Sequence, residues 1–157
     1  MKGASLVAAA GGTSVAGAST TRKPQLAARW ELNHGYPDNS VGRLMETPKG
    51  VFPPEMTVGE AIQQVRELVK TAFVTYGYVS DPAGRLLGII TMRDLLVAEP
   101  ATALRDVMLA NPFSLRPEMP LLEAMKLVVV RHFPVYPVCD KDGRLVGLVR
   151  GESMFEE

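Results

Sequence analysis

Two stretches of the chain carry apolar residues at the spacing of an amphipathic helix. The first begins at Thr57 and Glu60, which form a Thr-x-x-Glu capping box. Its apolar stripe then consists of Val58, Ala61, Ile62, Val65, Leu68 and Val69. The second stretch, LLEAMKLVVV (121–130), has more apolar positions than one face requires. Leu127 and Val130 widen its stripe beyond Ala124, Met125, Val128 and Val129, which predicts that a further surface covers this helix.

Between and after these helices the pattern changes to short runs typical of strands. FVTYGYV and LLGII are rich in β-branched and aromatic residues, and the turn DPAG lies between them. VYPVC and RLVGLV stand in the same relation to the turn DKDG. We therefore predict two hairpins. A short helix, MRDLLVA, follows the first hairpin and ends before Pro100.

The chain repeats itself. PPEMTVGEA (53–61) returns as RPEMPLLEA (116–124), 63 positions later, and GRLLGII (84–90) returns as GRLVGLV (143–149), 59 positions later. The pair Leu44–Met45 returns as Val107–Met108. One helix and one hairpin bury too little apolar surface to be stable alone, so the two copies should pack together as one body. We predict units at 41–103 and 104–157, related by a pseudo-twofold axis with a cleft on each side.

Residues 1–40 differ from the two copies, since their first part is mostly Ala, Gly, Ser and Thr without periodicity. We predict a flexible N-terminal segment there, in which Trp30 and Tyr36 are the candidates for packing back onto the units. GGTS interrupts the early apolar run after five residues, which is too short for a secretory signal. The run at 121–130 carries Glu123 and Lys126 and is too short to span a bilayer.

Charge and cysteine content exclude several classes of function. Lys plus Arg and Asp plus Glu both total 17, so the net charge gives no reason to expect nucleic-acid binding. Cys139 is the single cysteine and lies in an apolar run, which predicts a buried thiol and a reducing, cytoplasmic setting. His34 and His132 have no nucleophile at a recognisable spacing, so we do not expect an enzyme.

The segment GIITMRD (88–94) carries the chemistry of the first copy. It ends a strand and opens a helix, where free backbone N–H groups suit a phosphate. Thr91 adds a hydroxyl, Asp94 offers two carboxylate oxygens to a ribose, and Arg93 is either a phosphate ligand or a solvated charge. The same spacing also fits a simple Thr-x-x-Asp helix cap.

The second copy lacks these groups. Arg150 stands in place of Thr91, and Ser153 stands in place of Asp94. A serine cannot offer two acceptors to a ribose. We therefore predict one competent cleft per pair, with Arg150 either leaving its own cleft empty or reaching a polyphosphate in the first.

These motifs resemble a CBS domain pair, also called a Bateman module. The basis is a tandem of two units of the pattern apolar-Pro-Val strand, D-x-x-G-R-L turn and Gly-apolar-apolar-Ser/Thr-x-x-Asp segment, of which the second unit lacks the hydroxyl and the acid. The first copy departs from the pattern with Tyr78 at the proline position. GYPDNSVGRLM followed by YGYVSDPAGRLLGIITMRDLL further resembles the cytosolic CBS region of MgtE-type magnesium transporters.

The resemblance implies an α+β pair with pseudo-twofold symmetry that senses an adenine nucleotide (ATP, ADP or AMP) and does no catalysis. It assigns Thr91 and Asp94 to the nucleotide, and it places the base against residues that could equally be core: Pro112, Phe113, Phe133, Pro134 and Pro137. The implied partners are a second copy of the chain and a regulated protein such as a membrane transporter, without membrane insertion. The alternative is a Mg²⁺ sensor, with candidate ligands Glu99, Asp106, Glu118, Asp140 and Asp142.

Overall fold

The computed structural model describes residues 33–156, so the predicted flexible segment lies largely outside the described part, as does Trp30. The first half of the repeat contains strand β1 (Val51–Phe52), helix α1 (Val58–Leu68), strands β2 (Tyr76–Ser80) and β3 (Leu86–Thr91), and helix α2 (Met92–Val97). The second contains β4 (Leu109–Ala110), α3 (Leu121–Val128), β5 (Val135–Cys139) and β6 (Leu145–Arg150). Short 3₁₀ turns lie at Val41–Leu44, Leu104–Asp106 and Glu152–Phe155.

Both predicted hairpins form, and their registers match. β2 and β3 pair antiparallel with Tyr78 opposite Ile89, and β5 and β6 pair antiparallel with Pro137 opposite Leu148. Each hairpin has an irregularity near the end of its first strand, at Val79/Ser80 and at Val138/Cys139. The equivalent positions differ by the 59 residues that separate the copies in the sequence, so the repeat is a structural repeat.

The short segment at the start of each half, before its first long helix, pairs with the hairpin of the other half. β4 precedes α3 in the chain but pairs with β3, with Leu109 opposite Ile89. In the equivalent arrangement, Glu46 pairs with Leu148 of β6. This reciprocal exchange gives the pair its pseudo-twofold symmetry and ties the two halves into one body.

The two hydrophobic cores show the same exchange. Val41 and Met45, from the start of the first half, are buried in the core formed by α3, β5 and β6. Leu104 is buried in the core formed by α1, β2 and β3, with Met108 packed against it. Tyr36 also packs against the second core, as the sequence suggested. Since each core needs residues from the other half, neither half has a complete interior alone.

The helices follow the apolar pattern but end earlier than predicted. The capping box of α1 is present, with Glu60 N–H donating to Thr57 Oγ1 over 3.2 Å. Val69 and Val129 lie beyond the ends of α1 and α3 and are 51% and 52% exposed, so their assignment to the buried stripes was wrong. α3 ends because His132 adopts a left-handed φ of 59° and the N–H groups of Arg131 and His132 both donate to the carbonyl of Val128.

Cys139 is buried near the end of β5, as its sequence context predicted. Burial raises the pKa of its thiol above the usual value, which keeps the group in its unreactive form. No helix within residues 33–156 is long and apolar enough to cross a membrane. The division of the chain at 41–103 and 104–157 stays a prediction.

Candidate nucleotide-binding cleft

A cavity of about 530 Å³ lies where β3 passes into α2 and faces the second half of the repeat. Thr91 and Asp94 line it from the first half. Four of the residues that the sequence assigned to the base line it from the second half: Pro112, Phe113, Phe133 and Pro137. The structure therefore brings together six predicted site residues that are far apart in the chain, from Thr91 to Pro137.

Thr91 and Asp94 also form the helix cap that the sequence allowed as an alternative. Asp94 N–H donates to Thr91 Oγ1 over 3.0 Å, and Thr91 N–H donates to Asp94 Oδ2 over 3.2 Å. Asp94 Oδ1 accepts no hydrogen bond from the described residues. The cap and a ligand contact are thus compatible, because one carboxylate oxygen holds the helix start and the other remains for a ligand.

The far wall of the cavity is an aromatic cluster around Tyr136. The ring of Phe113 meets Tyr136 edge-on with centroids 6.0 Å apart, and the ring of Phe133 lies tilted against it at 5.7 Å. The Tyr136 hydroxyl accepts from the Phe133 N–H over 3.0 Å and donates to the carbonyl of Val128 over 3.2 Å. These bonds anchor β5 and the end of α3 to each other, so the wall is held in place.

The sequence interpretation missed Arg131, which also lines the cavity. Its guanidinium carbon lies 3.8 Å from the centroid of the Phe113 ring, within the range of a cation–π contact. Its Nη1 donates to the carbonyl of Leu127 over 2.6 Å. In the sequence, Arg131 is a cation two positions before Phe133, which was assigned to the base. Nothing in the linear pattern shows that Arg131 contacts Phe113.

Three of the predicted site residues lie outside this cavity. Arg93 is exposed on the first turn of α2. Pro134 and Arg150 line a groove of about 450 Å³ with Phe73 and Glu152. Arg150 Nε lies 3.1 Å from Glu46 Oε2, in an ion pair that joins the second half to the start of the first. Contact of Arg93, Pro134 or Arg150 with a nucleotide stays a prediction.

The second cleft is narrow beside Tyr78 and borders the groove of about 450 Å³, with which it shares Phe73, Thr75, Val135 and Arg150. The space equivalent to the first cavity is only about 40 Å³ and is lined by Tyr78, Glu46 and Arg150, the counterparts of Pro137, Leu109 and Thr91. The Tyr78 ring is buried where the second half has the smaller Pro137. Burial also raises the pKa of Tyr78, whose hydroxyl has no hydrogen-bond partner among the described residues. The bulk of Tyr78 and the Glu46–Arg150 ion pair therefore make the two clefts unequal.

The acidic residues proposed as metal ligands do not gather into a site. Within residues 33–156 no group of three or more His, Cys, Asp or Glu side chains lies close enough to hold a metal ion. The Asp140 carboxylate accepts the N–H groups of Asp142 and Arg144, each over 2.9 Å, and the bond from Arg144 is the main cause of its lowered pKa. Asp140 thus serves the turn between β5 and β6.

Comparison with known proteins gives a consistent result. The family model described as "CBS domain" matches the chain twice, over residues 41–100 and 104–156. The magnesium transporter MgtE of Thermus thermophilus is 35% identical over 135 residues, which cover 85% of this chain and 30% of the transporter. The chain thus spans less than a third of that relative, and 28% of the MgtE of Bacillus subtilis, to which it is 27% identical.

Solved structures agree with these relatives. The cytosolic domain of the Mg²⁺ channel MgtE, crystallised in complex with ATP, is 32% identical and superimposes with a TM-score of 0.79, covering 85% of this chain and 54% of that domain. CBSX2 in complex with AMP is 26% identical with a TM-score of 0.61, covering 74% of this chain and 93% of that protein. Since the family model matches most of the chain and the fold agrees, this protein belongs to the CBS domain family and is a tandem CBS pair, a regulatory module similar to the cytosolic domain of MgtE.

Proposed function

We propose that the protein is a non-catalytic regulatory module that binds an adenine nucleotide in the cavity at Thr91 and Asp94. The observation that carries the proposal is the composition of that cavity: a carboxylate oxygen without a partner among the described residues at a helix start, opposite a preformed aromatic and proline wall. A ribose needs paired acceptors, a phosphate suits a helix start, and a base needs an apolar slot. The complexes of similar domains with ATP and AMP support the same class of ligand.

The cavity also explains how binding would be transmitted. Its two walls belong to different halves of the repeat, so a ligand that contacts both favours one angle between them. Tyr78 narrows the second cleft, and Arg150 and Ser153 replace Thr91 and Asp94 there, so we expect one nucleotide per chain. A protein that contacts both halves would read the change, and the relation to MgtE makes a membrane transporter the leading candidate for it.

The test is calorimetric titration with AMP, ADP and ATP. Asp94→Asn keeps an oxygen for the Thr91 N–H but removes the charge and one acceptor, and we expect binding to weaken by about tenfold or more. Glu60→Ala is the matched control, because it disrupts the equivalent capping box of α1 at a place outside the cavity. Equal affinity of Asp94→Asn and the unaltered protein would contradict the proposed site.

A magnesium-sensing module is the second candidate, and the identity to MgtE transporters is the observation that favours it. The described acidic residues form no metal cluster within one chain, and for this candidate we place the ions between acidic residues of apposed units. Thermal unfolding with and without millimolar Mg²⁺ distinguishes the candidates, because an ion bound to the folded form raises the unfolding temperature. An unfolding temperature that ignores Mg²⁺ but rises with AMP supports the nucleotide.

A further inference from the structure

Arg131 and Asp94 are the charged side chains of the cavity, and they are not paired with each other. Neither takes part in an ion pair among residues 33–156. Asp94 stands on the first half, at the start of α2, whereas Arg131 stands on the second half, just beyond the end of α3. A half-buried guanidinium in a largely apolar cavity needs another explanation than a salt bridge.

The guanidinium is held in a defined orientation by two contacts. Phe113 covers one of its faces at 3.8 Å, and the carbonyl of Leu127 accepts from its Nη1 over 2.6 Å. Phe113 is itself fixed by its edge-on contact with Tyr136. The result is a flat, charged group supported from behind by an aromatic ring, with its second face uncovered by any ring contact in the described part of the chain.

We propose that Arg131 is the stacking platform for the base of the bound nucleotide, so that the base lies on the guanidinium and the guanidinium lies on Phe113. This inference rests on the proposed function of the cavity. Bases stack on guanidinium planes as they do on aromatic rings, and the positive charge attracts the π-face of the base. A purine covers more of such a platform than a pyrimidine, so Arg131 favours purine nucleotides.

The alternative is a base that stacks directly on the Phe113 ring, and it fits the observed contacts less well. A base that stacked on Phe113 would have to displace the guanidinium and leave a charge without its aromatic support. Stacking on the outer face of Arg131 keeps both existing contacts and adds a third. It also places the base between the two halves, because Arg131 belongs to the second and Asp94, the expected ribose ligand, to the first.

Arg131→Lys tests the proposal, since it retains the charge and a donor for the Leu127 carbonyl but removes the plane. Affinities for AMP, adenosine and CMP are measured by calorimetry. We expect AMP and adenosine both to bind about tenfold more weakly, with the preference for AMP over CMP reduced. Arg105→Lys, an exposed arginine outside the cavity, is the matched control and should change nothing.

A second variant separates the platform from a structural role. Phe113→Leu keeps an apolar side chain in the wall but removes the ring beneath the guanidinium, and we expect the same loss for adenosine as for AMP. Thermal unfolding of each variant reports whether the fold is intact.

Four results would overturn the proposal. If Arg131→Lys lowered the affinity for AMP but not for adenosine, Arg131 would contact the phosphate. If Arg131→Lys bound both ligands more tightly, the arginine would obstruct the base. Unchanged affinities would mean that it does neither. Absence of nucleotide binding by the unaltered protein would overturn the proposed function together with this inference, whereas the other three leave the function standing.

Discussion

At the scale of single residues, the two clefts are distinguished by Tyr78 and its counterpart Pro137. The larger ring fills the second cleft, and its hydroxyl is buried without a hydrogen-bond partner among the described residues. A buried hydroxyl that makes no bond reduces stability by its lost hydration. The first cleft has a small proline at this position and remains open. The difference between Tyr78 and Pro137 therefore makes the two clefts unequal in size, and the binding of a ligand in the first stays a prediction.

Replacement of Tyr78 by Phe should leave the free energy of unfolding unchanged or raise it, because the change removes an unsatisfied group and keeps the ring. Tyr136→Phe is the matched control, since its hydroxyl makes two hydrogen bonds, and we expect it to lower stability by about 1–2 kcal/mol. Urea unfolding measures both. Equal losses for the two variants would show that the Tyr78 hydroxyl has a bonded partner such as an internal water.

At the scale of elements, two glycines let the leading segment of each half lie against the hairpin of the other. A Cβ on Gly88 would lie 2.5 Å from Met108 Sδ and 2.9 Å from the carbonyl oxygen of Leu109. A Cβ on Gly147 would lie 2.6 Å from Met45 Sδ. The two sites are equivalent in the repeat. The glycines of the two GRLxG segments are therefore required by the close approach of strands from the two halves.

We expect Gly88→Ala to lower the free energy of unfolding by about 1–3 kcal/mol, because the strand carbonyl at Leu109 cannot move away without breaking the β3–β4 pairing. Gly59→Ala, in the first turn of α1, has its nearest neighbour at an ordinary 3.4 Å and should instead stabilise the protein by roughly 0.5–1 kcal/mol. The comparison uses urea unfolding. If Gly88→Ala left the free energy of unfolding unchanged, β4 would be free to move away from β3.

At the scale of the whole molecule, several strongly exposed apolar residues lie on and near α2 and α3, while others such as Phe73 (80%) and Leu109 (69%) lie elsewhere on the surface. Leu96 and Val97 of α2 are 79% and 72% exposed, Leu122 of α3 is 66% exposed, and Val130 after α3 is 72% exposed. Leu127, which the sequence placed outside the core stripe, is partly exposed at 36%. Exposed apolar residues that lie close together often mark a surface that contacts another protein chain. The homodimer stays a prediction, with the amphipathic helices, chiefly α3, as its contact.

Light scattering at high protein concentration should give the mass of a dimer, and Leu122→Glu should shift it towards a monomer, because a charge would be buried in a self-complementary contact. Glu123→Gln, beside it on α3 but polar already, is the matched control. A monomer mass for the unaltered protein, or a dimer that Leu122→Glu does not disturb, would contradict this interface.

Much of the fold could be predicted from the sequence because it follows from local rules. The capping box at Thr57 and Glu60 acts over three residues, and a strand repeats its pattern every two residues. The repeat at 63 and 59 positions predicted the tandem pair, and Cys139 was correctly placed in the core from its apolar neighbours. Even the inequality of the clefts was readable, since Arg150 replaces Thr91. These features need no knowledge of which distant residues meet.

The tertiary structure alone decided how the site is assembled, because its contacts join residues far apart in the chain. Arg131 meets Phe113 across helix α3, and Arg150 meets Glu46 from the opposite half. The bulk of Tyr78 matters only where the exchanged segments enclose it. In the sequence, Arg131 and Arg150 are each one cation beside an apolar run. Packing between the halves places Arg131 in the cavity with Asp94 and Arg150 in the narrower cleft beside Tyr78.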